Sequence, residues 1–78
     1  MNQTVERKIK LRPDEVKRFV AAASQCDFDI DISYNRYVVD AKSIVGVLGL
    51  DFNQMLTIRY CGYNEAFEAC LKSFSCAC

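Results

Sequence analysis

The chain has 78 residues, 51% of them apolar, and its Lys+Arg count of 10 equals its Asp+Glu count of 10, for a net charge of zero. A chain of this size admits one domain with one core, and its even charge argues against a general nucleic-acid binder, whose affinity rests on neutralising phosphates. No apolar run approaches the roughly 20 residues of a membrane span, and Met1 to Lys10 lacks the apolar centre of a signal peptide, so the reading is a soluble, cytoplasmic domain over 1–78 without a membrane or nucleic-acid partner.

Thr4 to Leu11 alternates loosely, with Val5, Ile9 and Leu11 on one face, Glu6, Lys8 and Lys10 on the other, and Arg7 interrupting the apolar face. This is a strand pattern. Pro13, Asp14 and Glu15 follow. Proline suits a first helical turn and acidic side chains there complement the helix dipole. Val16, Phe19, Val20 and Ala23 recur at helical spacing, so Pro13 to about Gln25 is predicted as an amphipathic helix.

Asp27 to Ser33 alternates strictly, Phe28, Ile30 and Ile32 against Asp27, Asp29 and Asp31, and is predicted as a half-buried antiparallel strand. The three aspartates share a strand face at too wide a spacing to converge on one ion, so they read as a solvated surface. Tyr34-Asn35 is a predicted hairpin turn, since Asn tolerates positive φ. Arg36 to Ala41 returns as a second strand. Ser43 caps a short apolar helix carrying Ile44, Val45, Val47, Leu48 and Leu50, and Asp51 to Gln54 connects it to a strand over Met55 to Cys61. Gly62-Tyr63-Asn64 turns the chain. Asn64 is predicted to cap a last helix with Phe67, Cys70, Leu71 and Phe74 on its apolar stripe. The order β-α-β-β-α-β-α, with one apolar side per strand, predicts a two-layer α+β sandwich with all helices on one face.

The five cysteines, Cys26, Cys61, Cys70, Cys76 and Cys78, are odd in number and read as reduced thiols. Cys26, Cys61 and Cys70 are predicted to be small buried hydrophobes. Cys76-Ala77-Cys78 reads as a frayed tail over 76–78 rather than structural zinc, because the chain has no histidine and no second close pair faces it. No metal set and no cofactor motif is present in the sequence.

The densest signal is Asp40 to Leu50. A helix of about two turns cannot bury five aliphatic side chains on one face. Some of Ile44, Val45 and Leu48 must therefore reach solvent or a partner, with two of the three predicted to pack. Ala41-Lys42-Ser43-Ile44-Val45-Gly46-Val47-Leu48-Gly49-Leu50 resembles the Ala-Lys-Ser-Ile-Met-Gly-Leu-Met-Ser-Leu segment of HPr, the small phosphocarrier family of the bacterial phosphoenolpyruvate:sugar phosphotransferase system. Phe19-Val20, Ala23-Ser24 and Thr57-Ile58-Arg59 carry the resemblance over most of the chain. It implies the HPr-like open-faced β-sandwich, a four-stranded antiparallel sheet with three helices on one face, and a protein that is not an enzyme.

The chain departs from that family where the chemistry lies. HPr carries its phosphoryl group on the histidine of Gly-Leu-His-Ala-Arg-Pro, and this sequence has no histidine. By register with Phe19 the histidine position falls on Arg12 and the helper arginine on Asp14. A guanidinium offers no lone pair to accept a phosphoryl group, and Asp14 and Glu15 repel phosphate, so the resemblance leaves a degenerate carrier site at Arg12 and Asp14.

What the resemblance retains is the family's regulatory serine at Ser43, with Lys42 as a nearby cation and Ile44, Val45 and Leu48 as the docking patch. The partner it implies is a protein: a phosphotransferase-system enzyme, an HPr-type kinase or a transcriptional regulator. Ser43 as a plain helix cap, a phosphotransfer component using Cys26 or a carboxylate, and a degenerate paralogue without phosphorylation stand as the alternatives.

Overall fold

Strands of alternating polarity bury one face only, and four of them pair here into one antiparallel sheet. In the computed structural model, which describes residues 3–74, these are β1 (Val5–Ile9), β2 (Ile30–Tyr34), β3 (Tyr37–Asp40) and β4 (Leu56–Tyr60). Their order is β1-β4-β2-β3, so the last strand lies between the first two. The helices α1 (Val16–Ser24), α2 (Ile44–Leu48) and α3 (Glu65–Phe74) cover the apolar face, with α1 packed against both α2 and α3. Cys76 and Cys78 lie outside the described residues, and with them the reading of 76–78 as a tail.

Element boundaries shift where tertiary contacts outweigh local pattern. Pro13–Glu15 forms a 3-10 turn ahead of α1, closed by the Glu15 N–H donating to the Arg12 carbonyl at 2.8 Å. β2 begins at Ile30 rather than Asp27, because Phe28 stacks on Tyr60 with ring centroids 5.7 Å apart. The hairpin loop is Asn35-Arg36 rather than Tyr34-Asn35. Tyr34 and Tyr37 form its closing pair, and Asn35 takes the positive φ of 51°. The helix after Ser43 stops at Leu48.

The core is one cluster. Phe19 of α1 lies 6.2 Å from both Phe67 and Phe74 of α3, over Ile9, Ile30, Ile32, Leu56 and Ile58 of the sheet. Asn64 caps α3 as predicted, its Oδ1 accepting from the Phe67 N–H at 2.9 Å. Cys26 is buried and Cys70 half-buried. Cys61 is exposed, against expectation, because the alternation that turns Tyr60 inward turns its neighbour outward.

Arg7 has a partner that the strand pattern conceals. Its guanidinium meets the Glu68 carboxylate at 2.9 Å, and the Tyr60 hydroxyl donates to the other oxygen of the same carboxylate. Burial, and then this hydrogen bond, pushes Tyr60 up to about 12 from its ordinary value of 10.0. The favoured form is the neutral phenol, so its contribution to stability is complete below pH 10.0 and is lost as the pH rises towards about 12. Between those values the unfolding free energy of the wild type should fall more steeply than that of Tyr60→Phe, measured by urea denaturation at a series of pH values. Equal slopes would show that the phenol is not held in this way.

Gly62 closes the turn after β4 with φ 156°, and a Cβ built on it would lie 2.4 Å from the Phe28 ring. Gly62→Ala should therefore cost about 1–3 kcal/mol, from overpacking and backbone strain together. Gly49→Ala, whose nearest neighbour would be a carbonyl at 3.5 Å, should be close to neutral in the same thermal melts.

Candidate functional site

α2 is held at its start by Ser43, whose extended backbone (φ −99°, ψ 108°) places Oγ to accept from the Gly46 N–H at 3.2 Å. This is an N-cap, worth about 1 kcal/mol. Ser43 is exposed, and its own N–H donates to the Asp40 carbonyl at 3.0 Å. Gly46 lets α2 lie close on the sheet: a Cβ there would come within 3.3 Å of the Val39 Cβ.

Of the helix's own residues only Val47 is buried, with Leu50 following it into the core. Ile44, Val45 and Leu48 are 39%, 79% and 52% exposed, so none of the three is a core residue, against the expectation that two of them pack. The reason is length. Five helical residues present about one and a half turns, and once Val47 points inward its neighbours along the helix cannot follow.

Lys42 is committed elsewhere. Its ammonium donates to the Cys26 carbonyl, just beyond the end of α1, at 2.9 Å, and its backbone N–H donates to the Asp40 carboxylate at 2.9 Å. A cation at a helix C-terminus is favourably placed. The bond also ties the α2 entry to the α1 exit.

At the other end of α1, Arg12 occupies the N-cap position of the Pro13–Glu15 turn. Its N–H donates to the Glu15 carboxylate at 3.1 Å, and its guanidinium lies 3.9 Å from the carboxylates of both Asp14 and Glu15. Glu15 also faces Arg18 at 3.7 Å. The opening of α1 is thus occupied by the chain's own carboxylates, an arrangement that disfavours a bound anion.

Cys26 offers little as a nucleophile. Burial raises its thiol above the ordinary value, with Lys42 opposing more weakly. Asp27, Asp29 and Asp31 are exposed, with Asp31 opposite Arg59 on the outer sheet face. Among the described residues no group of His, Cys, Asp and Glu is arranged to hold a metal ion. No helix among them is long and apolar enough to cross a membrane.

The PTS-HPr family, described as "PTS HPr component phosphorylation site", matches residues 3–74. The chain belongs to the HPr family. It is similar to the phosphocarrier protein HPr from Bacillus anthracis str. Ames, at 28% identity and a TM-score of 0.72, over 95% of this chain and 100% of that one. HPr-C-His from Thermoanaerobacter tengcongensis shares the fold at 23% identity and a TM-score of 0.62, over 94% and 92% of the two chains. No match is found among the curated proteins. HPr-family membership makes the chain a phosphotransferase-system protein and not an enzyme, with the α+β fold expected.

In HPr-family terms the sequence located α2 but underrated its exposure. It also passed over Tyr37, Val38, Met55 and Tyr63, all exposed apolar side chains. Strand alternation marks Tyr37 and Val38 as β residues and carries no sign that their strand is an edge.

The thiols provide a direct check. In peptide mapping after iodoacetamide treatment of the native protein, Cys61 should be alkylated at least about tenfold faster than Cys26, because the reactive species is the accessible thiolate. Fastest labelling at Cys26 would restore it as a candidate phosphoryl acceptor.

Proposed function

We propose that this chain is a non-carrier member of the HPr family, a regulatory or adaptor protein that presents α2 to a protein partner and is controlled at Ser43. The observation that carries the reading is a combination. The family's serine-bearing helix is retained with Ile44, Val45 and Leu48 exposed around it, while the sequence holds no histidine. In this reading Arg12 and Asp14 mark the degenerate carrier site. The guanidinium has no lone pair for phosphorus, and the neighbouring carboxylates repel phosphate.

Ser43 supports regulation through its position. A phosphate there would meet the free N–H groups that open α2, which tolerate an anion well. It would also set about two negative charges beside an apolar docking face, favouring some partners and excluding others. Lys42 contributes by holding the α2 entry against α1 rather than by pairing with the phosphate. The partner is a phosphotransferase-system enzyme, an HPr-type kinase or a transcriptional regulator.

Incubation with phosphoenolpyruvate and enzyme I should leave the protein unlabelled, whereas an HPr-type serine kinase with ATP should label Ser43 and spare Ser43→Ala. Ser43→Asp and Ser43→Ala should then differ in affinity for such partners. Val45→Glu should abolish binding without lowering the melting temperature. Label from phosphoenolpyruvate on Cys26 or a carboxylate would overturn the carrier-loss half of the proposal. An unmodified Ser43 would overturn the regulatory half.

A further inference from the structure

The sheet ends in two edges that are guarded differently. β1 carries Glu6, Arg7 and Lys8, with Lys10 just beyond it, the kind of charged edge that discourages a further strand. β3 has no charge between its ends. Tyr37 and Val38 are 63% and 62% exposed, and the flanks carry opposite signs, Arg36 before the strand and Asp40 at its close.

The backbone of β3 has a defined open side. The Ala41 N–H donates to the Ile30 carbonyl at 2.9 Å, and Tyr37 closes the hairpin with Tyr34. Residues 37, 39 and 41 therefore turn their polar groups towards β2, and alternation turns those of Arg36, Val38 and Asp40 towards the open edge.

We infer that β3 pairs antiparallel with β3 of a second copy about a two-fold axis through Val38, joining the two sheets into one. In this register Val38 meets its own counterpart, Tyr37 meets Val39, and Arg36 meets Asp40, so every pair is aliphatic, aromatic with β-branched, or opposite in charge. The groups that face each other are also those left open on each edge. A two-residue slip sets Arg36 against Lys42 in one direction or against Val38 in the other, and a one-residue slip misaligns the open backbone groups.

A second observation on the outer face points to the same occupant. Read across the sheet, one row runs Glu6, Arg59, Asp31, Asp40. Glu6 and Arg59 form an ion pair at 3.0 Å, and Asp31 has Arg59 on one side. On its other side stands Asp40, a like charge directly opposite, which is unfavourable. Arg36 of the second copy is the cation that continues this row.

Sedimentation equilibrium up to millimolar concentration should show a reversible monomer–dimer equilibrium. Val38→Lys, on an exposed strand position, would place two like charges on the axis. Arg36→Glu would replace two attractive pairs with repulsive ones, and each should weaken the dimer by about tenfold or more. Adding Asp40→Lys to Arg36→Glu should restore association, and far-UV circular dichroism should be unchanged in all three. A monomer at every concentration, or a dimer broken by Val45→Lys on α2 and indifferent to Val38→Lys, would overturn the inference.

Discussion

One apolar sheet face has to be covered by three helices, and the cover is uneven. α1 and α3 each supply a full amphipathic stripe, with Phe19, Phe67 and Phe74 meeting over the sheet. α2 spans only Ile44–Leu48 and sends one of its own side chains, Val47, into the core. The hydrophobic effect rewards burial only for groups that geometry lets reach the interior. On so short a helix the remaining aliphatic residues are left at the surface, and the docking face proposed for this protein is what that shortage leaves over.

The position of α2 is correspondingly over-determined by small contacts. Ser43 caps its first turn, Gly46 admits the Val39 side chain at close range, and the Lys42 ammonium reaches the carbonyl beyond α1. Together they hold a segment that hydrophobic burial alone would fix weakly. On the opposite side of the core, Tyr60 has a comparable role for α3. Its ring lies between Phe28 and Phe67 and its hydroxyl is bonded to Glu68, which Arg7 holds from the first strand. An arginine that spoils the alternation of β1 thus joins the edge strand to the last helix.

The two ends of α1 differ in their electrostatics. At its exit the carbonyl of Cys26 accepts a lysine ammonium. At its entrance the chain's own Glu15 takes the Arg12 N–H, with Asp14 beside it. A helix entrance without such carboxylates attracts anions, and this one is filled. The absence of histidine is read from composition and the filled entrance from the fold, and in the proposed reading both bear on the same site.

Local periodicity determined much of this protein in advance. Period two in Phe28, Ile30 and Ile32 and period 3.6 in Val16, Phe19, Val20 and Ala23 yielded the element order and the inward faces, and with the Ser43 segment they indicated the fold. Those patterns report on which side a residue turns. They carry nothing about what waits on that side. The partner of Arg7, the bend at Phe28 and the engagement of Lys42 each depend on residues distant in sequence. They were decided only when β4 inserted between β1 and β2 and left β3 at the edge, because burial and ion pairing are properties of neighbours in space, and the chain's order alone does not name them.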